Sequence, residues 1–218
     1  IASDDRDSSF AVVQGANNVL NEVGGGVNGD FAVAPAYSAA SSLTVGKWGP
    51  WISHTGLWEV EVFVPDSVQT LASSATYDIA FHGGHALKTV DLESSKGSWV
   101  SLFPGQPFKF VAGPRGYTAL TNLAPQNGGW LAFDSVRWVF IGNSGTGGIG
   151  SSCSLSNDCG GSLVCDEVGT CAEDCLDTGC DVGTCDVSTA VCVEPDEILD
   201  PLEGDPTTDS DGDGIPNV

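Results

Sequence analysis

The aromatic residues and the cysteines of this 218-residue chain never mix. All eighteen aromatics lie between Phe10 and Phe140, and all eight cysteines between Cys153 and Cys192. A folded unit needs either large rings to fill a core or covalent staples to replace one. The front is therefore expected to fold around a hydrophobic core, and the back around sulfur bridges. Charge divides at the same place. Residues 1–150 carry twelve acidic and all seven basic side chains, whereas residues 151–218 carry seventeen acidic and no basic ones. A net charge of −22 excludes a nucleic-acid binder, which needs clustered Lys and Arg. No apolar run approaches the ~18 residues needed to cross a bilayer as a helix. The chain begins at Ile1 and contains no Met, so it reads as a processed or trimmed product.

These shifts predict four segments: a β-sandwich over 1–141, a flexible Gly/Ser linker over 142–152, a cysteine-rich module over 153–193, and an acidic tail over 194–218. In the front, Trp58, Val60, Val62 and Val64 alternate with polar residues on one strand face. Pro65-Asp66-Ser67 breaks that strand. Tyr77, Ile79 and Phe81 alternate likewise, and Gly83-Gly84 reads as a two-residue hairpin turn. Further strands are expected at Phe31–Ala34, Ser38–Val45, Trp99–Phe103, Phe108–Val111, Thr118–Asn122 and Trp130–Ile141. Short strands with regular turns define an all-β fold, a jelly-roll-like β-sandwich.

Several stretches carry a resemblance. They are Trp48-Gly49-Pro50, Gly56 through Pro65, Tyr77-Asp78-Ile79 with Gly83-Gly84, Gly97-Ser98-Trp99-Val100-Ser101-Leu102, and Ala132-Phe133-Asp134-Ser135-Val136-Arg137-Trp138. In that order, over about residues 5–141, they resemble the golvesin C-terminal (xanthan-lyase-like) domain family. The resemblance implies a galactose-binding-like β-sandwich appended to secreted bacterial enzymes and surface proteins as a binding module. The segment Phe103-Pro104-Gly105-Gln106-Pro107 departs from the family's direct run into the next strand.

Cys153, Cys159, Cys165 and Cys171 are spaced six apart, and Cys175, Cys180, Cys185 and Cys192 follow at five, five and seven. An even count in a dense run reads as two four-Cys disulfide units, each with three possible pairings. The run resembles small cysteine-rich repeats of exported bacterial proteins. That resemblance implies Cys153–Cys165, Cys159–Cys171, Cys175–Cys185 and Cys180–Cys192. Zinc is the rival, but there is no Cys-x-x-Cys pair, and Asp158, Asp166, Asp174, Asp181 and Asp186 disfavour the thiolates zinc needs. Disulfides place the chain in an oxidising, extracellular or cell-surface setting.

In the tail, Asp209, Asp211 and Asp213 precede Gly214, Ile215 and Asn217. Alternating carboxylates, a backbone carbonyl at Ile215 and a side chain at Asn217 are a calcium-binding pattern. It resembles a thrombospondin type-3 repeat, although a carboxylate near position 12 is missing because the chain stops at Val218. The natural protein is expected to continue; the competing reading is a solvated acidic tail.

Other chemistry is thin. His82 and His85, placed opposite each other by a Gly83-Gly84 turn, could form two corners of a metal site, with Asp78 roughly 13 Å along the strand and out of reach. Glu59 and Glu61 share a face about 7 Å apart, as in an inverting glycosidase, but an open strand face provides no desolvation. His54 sits in a turn with no partner that marks it as a base. Trp58, Trp99 and Trp138 fall in strand patterns and are expected in the core, and the family resemblance implies a core place for Trp48, leaving Trp51 and Trp130, beside Gly or Pro, as ligand-contact candidates. The expectation is a non-catalytic exported module that adheres to, or is displayed on, an extracellular polysaccharide or other polymer. The alternatives are a self-associating subunit of a filament or surface layer, and an accessory region of a larger secreted hydrolase.

Overall fold

The computed structural model describes residues 1–5, 7–38, 43–67, 69–123, 128–166, 168–175, 184–186 and 191–193. Five strands open the chain: β1 (Ala2–Ser3), β2 (Phe10–Gln14), β3 (Leu20–Val23), β4 (Asp30–Pro35) and β5 (Val45–Trp48). The middle holds β6 (Gly56–Val64), β7 (Ala75–Phe81), β8 (Gly84–Val90), β9 (Ser98–Ser101) and β10 (Phe108–Phe110). Three more, β11 (Tyr117–Thr121), β12 (Trp130–Phe133) and β13 (Val136–Gly142), complete the front. Four short strands follow among the cysteines: β14 (Val164–Cys165), β15 (Cys171–Ala172), β16 (Thr184–Asp186) and β17 (Val191–Val193).

Two five-stranded sheets make the sandwich. One runs β1-β13-β6-β10 with β9 also on β6, and the other runs β2-β5-β11-β7-β8; a third sheet, β12-β4-β3, closes one side. The strand β6 buries every second residue, as its sequence alternation requires. Trp58, Val60, Val62 and Val64 meet Tyr77, Ile79, Leu120 and Trp48 of the facing sheet in one buried cluster. Trp48, Trp58 and Trp138 are almost fully buried, as expected, and each ring removes roughly 150–250 Å² from water. Trp99 is the exception. It lies half-buried outside the cluster, edge-on to Phe63 and under the Arg137 guanidinium at 4.1 Å.

Three strand expectations shift. The strand expected at Ser38–Val45 lies further along: Ser38, Leu43 and Thr44 are not strand, and β5 begins at Val45. It continues through Gly46, where a Cβ would lie 2.5 Å from the Phe133 ring, so this glycine admits a core ring instead of breaking the strand. The run Trp130–Ile141 is two strands. Its chain leaves β4 at Phe133, turns at Asp134-Ser135, and joins β6 from Val136. The hairpin turn is His82-Gly83, since Phe81 pairs with Gly84 and Ala80 with His85.

The cysteine segment is bridged as Cys153–Cys165, Cys159–Cys171 and Cys175–Cys185, with Cα–Cα separations of 5.9, 5.6 and 5.5 Å. The Cys180–Cys192 pairing involves Cys180, which lies outside the described residues. No described cysteine is free, so none offers zinc a thiolate.

The Gly/Ser stretch after β13, expected as a linker, is hydrogen-bonded to the cysteine segment. Gly145 N–H donates to Asn157 O at 2.7 Å, Gly147 N–H to Asp158 O at 3.2 Å and Gly150 N–H to Cys171 O at 2.8 Å. A Cβ at Gly145 would lie 2.0 Å from Asp158 O, so this glycine permits close backbone approach, a use that composition cannot tell from flexibility.

That segment also docks onto the sandwich. In β10 the side chains of Phe108 and Phe110 turn inward, and Lys109 turns outward. Yet Lys109 is 0% exposed, because the disulfide unit covers it. Its Nζ donates to the carbonyls of Ser156, Cys159 and Leu163 at 3.2, 2.9 and 2.6 Å. Beside it, Asp174 is 2% exposed and accepts from Arg115 Nη1 at 2.9 Å. Asn157 Nδ2 adds a bond to Pro107 O at 3.0 Å.

Candidate functional site

The two candidate tryptophans fall in different environments. Trp51 is 72% exposed, on a loop that Ile52 pins by paired backbone bonds to Gly113, both 2.9 Å. Trp130 is half-buried in β12 and packs against the core, so most of its ring serves the fold. Just beyond Trp51, the His54 ring lies 5.0 Å from Trp58 and 4.4 Å from Phe140, and Ser53 Oγ holds its Nδ1 at 2.8 Å. These rings, with Ile1, Ser53 and Arg137, line an open hollow of about 490 Å³. His54 is thus an aromatic wall.

The histidine pair does not converge. With the turn at His82-Gly83, His82 leaves the strand and points under the disulfide unit. There its Nε2 donates to Ser162 O at 2.9 Å and its Nδ1 lies 3.5 Å from Asp174. Burial pulls its pKa below the usual value, against the opposing pull of Asp174. His85 stays on the sheet face, where its Nδ1 lies 3.1 Å from Asp78 Oδ1. Asp78, expected out of reach along the strand, is a diagonal neighbour across the hairpin, since it pairs with Leu87.

Glu59 and Glu61 are each engaged with neighbours. Glu61 forms an ion pair with Arg137, and Glu59 accepts from Gly105 N–H at 3.1 Å, in the Pro-Gly segment that departs from the family pattern. A different acidic group forms only in the fold. Asp4, Asp5 and Asp134 bring carboxylate oxygens within 4.8 Å of one another. Ser135 Oγ donates to Asp4 at 2.6 Å, and Val27 N–H to Asp134 at 3.2 Å. Burial, reinforced by Asp4, pushes the Asp5 carboxyl up to about 7. Burial likewise pushes Asp134 up to about 7. Asp134 lies far in sequence from the adjacent Asp4 and Asp5, so no local motif announces the group. The tail residues Asp209, Asp211, Asp213, Ile215 and Asn217 lie outside the described residues.

The fold and surface thus define an antiparallel β-sandwich with a disulfide-stapled unit seated on one end and exposed aromatic and polar side chains on its loops and faces. The chain belongs to the golvesin C-terminal domain family, whose profile matches residues 1–140. Among solved structures it is similar to a xanthan lyase from Paenibacillus, with a TM-score of 0.47 and 19% identity over 64% of this chain and 13% of that one. It is also similar to an exo-β-1,3-galactanase from Phanerochaete chrysosporium (TM-score 0.39, 9% identity, 63% of this chain and 29% of that one). A third is the C-terminal CBM6 of a marine laminarinase from Zobellia galactanivorans (TM-score 0.39, 11% identity, 64% of this chain and 98% of that one). The chain therefore spans a small part of the first two proteins and nearly all of the third. No curated protein sequence matches it.

Proposed function

We propose that this chain is a non-catalytic module of an exported protein that binds an extracellular polysaccharide and so anchors or displays whatever it is joined to. The observation that carries the reading is Trp51. Its indole is 72% exposed on a pinned loop, while the sandwich core is filled by other rings. An ordered, solvent-facing indole that contributes little to folding is suited to stacking on sugar rings. The titratable groups of the front support a binding role: Glu61 and Asp78 are paired with Arg137 and His85, and the two carboxyls with raised pKa lie in an internal cluster instead of a cleft. The bridges among the cysteines support an oxidising compartment outside the cell. In the tail we extend the reading to Ca²⁺, held by Asp209, Asp211, Asp213, the Ile215 carbonyl and Asn217. A printed array of plant, algal and bacterial polysaccharides tests the proposal. Retention of the full chain on at least one polymer, lost in Trp51→Ala, supports it. Absence of retention on every polymer overturns it.

A further inference from the structure

On the outer face of the sheet β2-β5-β11-β7-β8, the strand registers set five residues in one transverse row. Ala11 opposes Lys47, Lys47 opposes Ala119, Ala119 opposes Asp78, and Asp78 opposes Leu87. A second row runs Tyr117, Ala80, His85. The alternate residues Thr118, Leu120, Tyr77 and Ile79 are buried, so these rows face away from the core. Across five strands the first row is roughly 19 Å wide.

Two features set this face apart from an ordinary solvated one. First, Ala11 and Ala119 occupy it, with Ala80 at 7% exposed covered among its neighbours, although alanine is depleted in strands and exposed sheet faces favour longer or branched side chains. Short side chains leave a low floor. Leu87, 68% exposed, rises on the edge strand β8. Second, the four polar side chains on the floor hold one another in place. Lys47 Nζ lies 3.6 Å over the Tyr117 ring, His85 Nδ1 lies 3.1 Å from Asp78, and the His85 and Tyr117 rings stand edge to face at 6.0 Å. Groups already held by neighbours lose little freedom when a ligand arrives.

We infer that this face is a glycan-binding platform on which Lys47, Tyr117, Asp78 and His85 bond the hydroxyls of a neutral polysaccharide chain lying across the sheet. The chemistry selects the occupant. One ammonium and one carboxylate in the same row balance, so the floor matches a ligand without net charge. Donors and acceptors a few ångströms apart suit vicinal hydroxyls, and the alanines and Leu87 suit the C–H faces between them. A nucleic acid would need clustered cations, and a protein partner a large apolar anchor; the floor has neither. The end of β5 beyond Trp48 leads through Gly49 and Pro50 to Trp51, at the end of the sheet where the Tyr117 row lies.

The inference rests on the polysaccharide-binding reading and names its site. The test takes the full chain with its bridges intact and uses affinity electrophoresis in the polysaccharide that the array retains best. Lys47→Ala and Asp78→Ala, both solvent-facing changes, are each expected to weaken retention at least about fivefold, and the double variant at least about twentyfold, with unchanged melting curves. Lys88→Ala, on the opposite face of β8, is expected to bind as the wild type does. Full retention by Lys47→Ala and Asp78→Ala, with loss in Trp51→Ala, would overturn the platform and leave the polysaccharide-binding reading standing. No retention of the wild type on any polymer would overturn both.

Discussion

The ammonium of Lys109, on a sandwich strand, donates to the Leu163 carbonyl of the disulfide-stapled segment at 2.6 Å. With the Ser156 and Cys159 carbonyls it completes a cradle that excludes water from the lysine head. A buried ammonium is tolerated only when its protons are all bonded, and three carbonyls meet that demand. Through these bonds the first cysteine unit packs against the sandwich strand β10. Lys109→Met keeps the length and removes the charge, leaving carbonyls at the joint without donors. We expect a loss of about 2–4 kcal/mol, read as a lower melting temperature by calorimetry. Amide exchange should speed up within 153–175 more than in β6. Unchanged exchange there would mean that the cradle does not hold the joint.

Reduction should act on the same joint. Each of the first two bridges spans a separation of 12 residues, and closing a loop of that size is worth about 3 kcal/mol. Opening them lets the Lys109 cradle disperse. Dithiothreitol is expected to lower the melting temperature of the full chain, while a chain ending at residue 142, which has no cysteine, does not respond. Non-reducing mass spectrometry should find no free thiol among the eight cysteines; a zinc adduct in its place would remove the disulfide reading.

Much of this arrangement was legible in the sequence. The alternation of Trp58, Val60, Val62 and Val64 fixes the β6 face, and the buried Trp48, Trp58 and Trp138 follow from their strand and motif positions. What escaped has a physical cause in each instance. The pair Gly83-Gly84 offers two turn registers one residue apart, and a one-residue slip moves every side chain to the other face. Gly83 takes a positive φ of 88° and sits in the turn, whereas Gly84 begins β8, which sends His82 away from His85. Lys109 alternates outward as its neighbours predict, but no local pattern reveals that another part of the chain covers it. The platform of Lys47, Tyr117, Asp78 and His85 comes from four strands and exists only through their register.

The buried carboxyls predict a pH dependence of definite sign. Asp5 and Asp134, each pushed up to about 7 by burial, hold protons in the fold that the unfolded chain releases near the ordinary value of 3.8. Unfolding therefore sheds protons between about pH 4 and 7, and this group's contribution to stability declines as pH rises through that window. Asp134→Asn keeps an acceptor for Val27 N–H and removes one titration. Measured by urea unfolding at pH 5 and pH 8, the variant is expected to gain on the wild type at the higher pH. A constant difference between the two pH values would show that Asp134 titrates normally.

Calcium is expected to act through the tail. A chain extended past Val218 to supply the missing carboxylate should melt higher in millimolar Ca²⁺ than in chelator. The increment should vanish in Asp211→Ala. An increment that survives Asp211→Ala would place the ion elsewhere.

Binding measured with and without one side chain tests the proposed function most directly. Titration calorimetry of the intact chain with its best-retained polysaccharide should give a saturable isotherm, and Trp51→Ala should weaken it at least about tenfold, or roughly 1.4 kcal/mol. Because that indole is solvent-facing, the melting temperature should change little. An isotherm identical in wild type and variant, or none for any polymer, would contradict a carbohydrate-binding surface built around Trp51.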